Sequence, residues 1–214
     1  MPKGSIAFLD VIGWKGIWAK DQDAIVKLKD ILEKIREYIN ELTLKTTDKS
    51  RALEPKIISI SDTIVISISG NPDNTMAMLV KICARAFKLS IQHRLYIRGA
   101  ISYGEYEIND NILVGPAVDD SASWHELAEI FGIFLTPLAK YNISTEIPEL
   151  YLYNIPLKTG ILTSYLLKIN VIEESNDKEE LKKYFMKIYS ELSYILPEHF
   201  NKYENTLKSI EAMN

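Results

Sequence analysis

Between Lys56 and Ser69 the chain reads KIISISDTIVISIS, Ile or Val alternating with Ser over a stretch long enough for two strands and broken once, at Ser61-Asp62. Side chains two residues apart share one face of a strand, so the alternation predicts a tight hairpin with a carboxylate at its tip. Such a hairpin needs further strands. Residues 6–11 (IAFLDV) read as one: a buried apolar run with a single acid, Asp10, near its end and Gly13 just beyond.

The rest of the pattern supplies helices and more strands. Ile25, Leu28, Leu32, Ile35, Ile39 and Leu42 recur at helical spacing across residues 21–42, and the polar stretch 43–55 reads as a loop. A second helix is predicted from Pro72 to about residue 92, with Leu79, Ile82, Cys83, Ala86 and Phe87 inward. A strand at 95–106, a turn at 109–111 and a short returning strand at 112–114 form a second predicted hairpin. Gly115-Pro116 opens a helix over 117–130, a strand at 132–135 stops at Pro137, and strands follow near 150–153 and 164–171. An amphipathic C-terminal helix is predicted from Asp177. This order implies an α+β fold with helices packed on one face of a mainly antiparallel sheet and a C-terminal helical extension. Residues 1–214 are read as a single domain, with the core motifs in 1–140 and the completing strands and helix in 141–214.

Composition excludes several classes. With 47% apolar and 25% charged residues the chain is ordinary globular protein, and its net charge of −4 argues against a nucleic-acid partner. The lone cysteine, Cys83, falls on an apolar helix face and reads as a core thiol of a reducing compartment. No apolar run approaches the ~20 residues that cross a bilayer, and Asp10 and Lys15 interrupt any leader-like pattern. The expectation is a cytoplasmic protein with no membrane partner.

Asp10 and Asp62 are the anomalies. Burying a carboxylate costs several kcal/mol unless a cation or donors compensate it. Taken singly, Asp10 could cap the following helix and Asp62 could merely close a hairpin. Together, on strands that a split β-α-β arrangement sets side by side, they make a site for a hard divalent ion, Mg²⁺ or Mn²⁺, shared with substrate phosphate. Ile12, Gly13 and Trp14 follow Asp10, and their backbone N–H groups can turn toward phosphate. The parts fit metal-assisted phosphoryl chemistry.

Four segments then resemble, in order, the motifs of class III adenylate and guanylate cyclase catalytic domains: FLDVIGWKG (8–16), SISDTIVIS (59–67), RGAISYGE (98–105) and GPAVDDSASW (115–124). The resemblance implies a ferredoxin-like, palm-type core, a nucleoside triphosphate as substrate and a head-to-tail homodimer with two shared sites. It makes Asp10, Asp62 and the Val11 carbonyl the metal ligands, and gives the phosphates to the amides of Ile12, Gly13 and Trp14. The reaction implied is attack of the ribose 3′-hydroxyl on the α-phosphorus with loss of pyrophosphate.

The departures matter equally. Both purine-reading positions are apolar, Ile58 and Ile112, although Lys56 lies on the strand face of Ile58. Asp119 stands where the family has a ribose-orienting Asn, and Ser123 where it has a charge-stabilising Arg. Arg98 is the candidate substitute cation; its other reading is a strand-end arginine in a salt bridge. The phrasing of RGAISYGE and GPAVDDSASWHE also resembles the pyrimidine cyclases of Pycsar antiphage defence, which make cyclic UMP or cyclic CMP. Three functions stay open: a nucleotidyl cyclase, a cyclase-fold nucleotide sensor without turnover, and a polymerase-like palm. His125 reads as a helix-surface residue, Trp14 as an aromatic filling space behind the strand, and 173–180 as a solvated acidic loop and helix start.

Overall fold

A computed structural model of the chain describes residues 1–15, 17, 21–44, 53–109, 112–169, 177–190 and 197–213. At its centre β1 (Lys3–Val11) pairs antiparallel with β3 (Thr63–Ser69) on one side and β4 (Ile97–Glu105) on the other. With β2 (Lys56–Ile60), β7 (Ile133–Leu135), β8 (Leu150–Leu157) and β9 (Gly160–Leu167) they form a seven-stranded sheet in the order β2-β3-β1-β4-β7-β9-β8. The β4–β7 pair is parallel, and every other pair in the sheet is antiparallel. The chain is α+β with a mainly antiparallel sheet, as the pattern of its sequence predicts, but helices cover both faces of the sheet where one was expected.

Alternation along β1 explains why IAFLDV is a run and not a pattern. Ala7, Leu9 and Val11 bury against α1 (Ala24–Leu44) and α2 (Pro72–Gln92), the helical face expected from the sequence. Ile6 and Phe8 point the other way and pack with Ala117 and Val118 of α3 (Pro116–Leu127), which covers β1 and β4 from the opposite side. A strand sandwiched between helices is apolar on both faces. Asp10 is in phase with Ile6 and Phe8, so it faces the α3 side.

The predicted hairpin at Ser61-Asp62 is present as β2–β3, in the register Ile60↔Thr63. Elsewhere the boundaries move. The strand at 95–106 ends at Glu105, and the second hairpin is a separate two-stranded sheet of β5 (Glu107–Asn109) and β6 (Ile112–Val114). Its turn at 110–111 lies outside the described residues, as do 45–52 of the predicted loop, 170–171 of the predicted last strand and 173–176 of the acidic run. The strands near 150–153 and 164–171 are one long hairpin turning at Lys158-Thr159. Pro137 ends β7 and also opens a short helix, α4 (Pro137–Asn142), where Thr136 Oγ1 accepts the Ala139 N–H. The single C-terminal helix proves to be two, α5 (Lys178–Ser190) and α6 (Pro197–Ala212), with proline at the first position of the second. Among the described residues no helix is long and apolar enough to cross a membrane. Cys83 is fully buried, and burial pushes its thiol well above the ordinary range.

Candidate active site

The β1–β3 ladder brings the two acids together. Asp10 sits opposite Thr63, and one step beyond, the Val11 N–H donates to the Asp62 carbonyl at 3.1 Å. Facing residues of an antiparallel pair lie about 4.5–5.5 Å apart, so the Asp62 backbone is a near neighbour of the end of β1. Ser61 takes a left-handed φ of 57°, which reverses the chain within two residues and leaves Asp62 at the tip. Both acids line one open cleft of about 660 Å³, together with Val11, Ile12, Gly13, Trp14 and Arg98. Seven residues expected at the site therefore share a cavity.

Arg98 faces Asp10 across β1–β4, and its Nε donates to Asp10 Oδ2 at 3.1 Å. Its Nη1 donates to the Glu126 carbonyl at the end of α3, also at 3.1 Å. The guanidinium is thus occupied in an ion pair in which both side chains are mostly buried, the alternative its position in the sequence left open. Trp14 is buried as part of the main core. Val11 is 2% exposed, so only its backbone can serve the cleft.

Other expected residues are placed differently. The Ile12 N–H donates to the Tyr96 carbonyl at 2.8 Å, because the β1–β4 ladder continues one residue past the strand. That amide is therefore not available to phosphate. Asp119 is exposed on the first turn of α3 and lines no cavity with the acids; Ser123, one turn on, shares its exposed face. Asp120, its neighbour, is the structural one, accepting from Ser102 Oγ at 2.6 Å and Trp124 Nε1 at 3.0 Å. Lys56 and Ile58 on β2 and Ile112 on β6 also lie away from the cleft.

His125 is not on the helix surface. It is 7% exposed, its ring 5.9 Å from that of Phe8, in a second cavity of about 340 Å³ that shares Asp10 and Arg98 with the first. Burial lowers its pKa, opposed by the Asp10 carboxylate and assisted by Arg98. The unfolded chain therefore takes up this proton more readily than the folded one, so acid favours unfolding. Thermal stability should fall as pH drops below the ordinary histidine value of 6.5, and a His125→Phe protein should show a shallower decline. Parallel melting curves for the two across that range would exclude the assignment.

The donor set suits a hard divalent ion. Asp10 keeps Oδ1 outside its bond to Arg98, and no side chain among the described residues pairs with the Asp62 carboxylate. Among the described residues no group of three or more His, Cys, Asp or Glu is placed for a metal, so the pair would rely on phosphate oxygens and water to complete a shell.

The cleft also holds residues that sequence reasoning missed: Lys15, Glu129, Lys158, His199, Asn201 and Lys202. Lys158 rides on the β8–β9 turn, clamped to α3 by its N–H to the Leu127 carbonyl at 2.9 Å. Lys15 lies within FLDVIGWKG, just past the Gly13 turn, and is legible from that position. The others carry no local signal, because contacts between segments distant in sequence place them.

This architecture is similar to that of solved guanylyl cyclase catalytic domains. The catalytic core of a rhodopsin-guanylyl cyclase with converted specificity, solved in complex with ATPαS, is similar with a TM-score of 0.57 at 13% identity, over 78% of this chain and 96% of that one. The guanylyl cyclase Cya2 is similar with a TM-score of 0.50 at 12% identity, over 82% of this chain and 98% of that one. No protein-family model and no curated protein matches the chain. Identities this low carry the fold; the chemistry has to come from the residues.

Proposed function

We propose that the protein is a metal-dependent nucleotidyl cyclase that converts a nucleoside triphosphate to its 3′,5′-cyclic monophosphate and pyrophosphate. The observation that carries this reading is the convergence of Asp10 and Asp62 on one cleft, beside the Gly13 turn and several cationic side chains. Asp10 and Asp62, with the Val11 carbonyl, would hold Mg²⁺ or Mn²⁺. The bound metal would supply Lewis-acid polarisation of phosphate oxygens and a more acidic 3′-hydroxyl. Gly13 and Trp14 would offer backbone N–H groups to the phosphate chain, and Arg98 holds the Asp10 carboxylate in place.

The resemblance implies a head-to-tail homodimer, and two features support one. Asp119 and Ser123 lie on an exposed face of α3 and line neither cavity that holds Asp10, and Ile112 and Val114 on the neighbouring β6 are 64% and 45% exposed. A second copy would bring Asp119 to the ribose of the first. Ile58 and Ile112 at the base-reading positions favour UTP or CTP over a purine nucleotide, in line with an antiphage signalling role in the cytoplasm. The close docking of the C-terminal helix supports one domain over residues 1–214.

A second reading, a nucleotide sensor without turnover, is favoured by Ser123 at the arginine position and by the commitment of Arg98 to Asp10. Incubation with each of the four ribonucleoside triphosphates and Mn²⁺, with products resolved by mass, separates them. Cyclic monophosphate is expected. Linear or cyclic oligonucleotide would indicate a polymerase-like palm, and tight triphosphate binding without product would indicate the sensor.

A further inference from the structure

One wall of the cleft comes from outside the four motifs. The first turns of α6 bring His199, Asn201 and Lys202 to the cavity that holds Asp10 and Asp62. A Cβ added to Gly13 would lie 3.6 Å from His199 Nε2, so this helix packs directly over the turn that follows β1. The helix is firmly docked. The Asn205 side chain donates to the Glu129 carbonyl at 2.7 Å, the Phe131 N–H to Thr206 Oγ1 at 3.0 Å, and the Tyr151 hydroxyl to the Ser209 carbonyl at 2.9 Å.

Lys202 is 6% exposed, and its ammonium lies 2.9 Å from Glu129 Oε1, on the rim of the same cavity. Lysine is almost never buried this far unless it is paired, because its charge loses hydration. For anchoring alone the pair is a poor choice, since apolar residues of similar size usually do as well. A cation held at the edge of an open cleft has a purpose when an anion enters. The site also lacks the arginine that Ser123 replaces, and Arg98 is occupied by Asp10 and Glu126.

We propose that α6 supplies a cationic contact to a polyphosphate chain in the cleft, Lys202 giving up part of its hold on Glu129 to bind a phosphate oxygen. The inference rests on the triphosphate reading above and adds to it a binding residue contributed by the C-terminal helix of the same chain. Glu129 keeps the ammonium oriented until the phosphate arrives. A charge-assisted N–H···O contact of this kind is roughly twice as strong as a neutral one.

The test is calorimetric binding of inorganic tripolyphosphate with Mg²⁺ to the full chain, with inorganic phosphate as comparison. Lys202→Met keeps much of the packed aliphatic stem and should weaken tripolyphosphate binding by about tenfold or more. Inorganic phosphate, which carries less charge, should be weakened by a smaller factor, and Lys202→Arg should restore most of the affinity. Melting curves confirm that the variants are folded. A mere anchor would shift the melt and leave the ratio of the two affinities alone, which overturns the proposal. Should Lys202→Met not fold, reductive methylation of the unaltered protein decides: tripolyphosphate should protect Lys202, and equal labelling with and without it counts against the contact. A wild-type chain that binds neither tripolyphosphate nor any nucleoside triphosphate would instead remove the reading beneath it.

Discussion

Asp62→Asn is expected to lower cyclic nucleotide formation with Mn²⁺ by at least about a hundredfold while moving the melting temperature by no more than a few degrees. The asymmetry follows from where the residue sits. Asp62 stands at a hairpin tip, partly exposed, with no side-chain partner among the described residues, so the folded state asks little of its charge. Asp10→Asn should lose as much activity and also lose stability. Its carboxylate accepts from Arg98 at 3.1 Å, with both side chains 16% exposed, and a hydrogen bond to a charged group is worth on the order of 1–3 kcal/mol. The amide also leaves a mostly buried guanidinium without its counterion. Product yield by mass and melting curves on the two variants check the pair. Full turnover in Asp62→Asn would end the metal-site assignment; equal stability loss in both would mean that Asp62 has a structural role.

The contrast between these acids also shows what the sequence could reveal. The β2–β3 hairpin was legible because its register and its turn are local: alternation fixes the faces, and Ser61-Asp62 is the one break. The placing of Asp10 beside Asp62 was legible at one remove, from two acids where strands want apolar residues. His125 was not legible. Helical spacing shows which residues share a face of α3, but which face is buried depends on Phe8, far away in the chain. Lys202 was less legible still, since a lysine reads as solvent-facing and its partner Glu129 is 73 residues distant. Ile12 was misjudged for a similar reason: the bond to Tyr96 belongs to a ladder whose exact end no local pattern marks. Local chemistry announced the acids. Long-range packing decided what surrounds them.

Gly115→Ala should be among the more damaging small changes in the described residues, destabilising the protein by about 3 kcal/mol or more. Gly115 has a φ of 133°, a region L side chains rarely enter, and an added Cβ would lie 2.6 Å from Tyr106 Cα and 2.7 Å from the Glu105 carbonyl oxygen. Those neighbours are backbone, so relief requires moving β4 or α3. The Gly115 carbonyl accepts the N–H groups of Val118 and Asp119 at 3.0 and 3.1 Å, which ties the position to the first turn of α3. That helix grips β1 and β4 through Ser121, whose Oγ donates to the Ala100 carbonyl at 2.7 Å and accepts the Phe8 N–H at 3.2 Å. Displacing α3 therefore loosens the strand that carries Asp10. Gly160→Ala separates the two costs: φ there is 142°, yet nothing lies within 4 Å of an added Cβ, so only the backbone penalty of about 1 kcal/mol remains. At roughly 2–4 °C per kcal/mol for a chain of this size, Gly115→Ala should melt at least about 4 °C below Gly160→Ala. If the two melt together, the close approach of β4 to the start of α3 is not what holds that helix over β1 and β4.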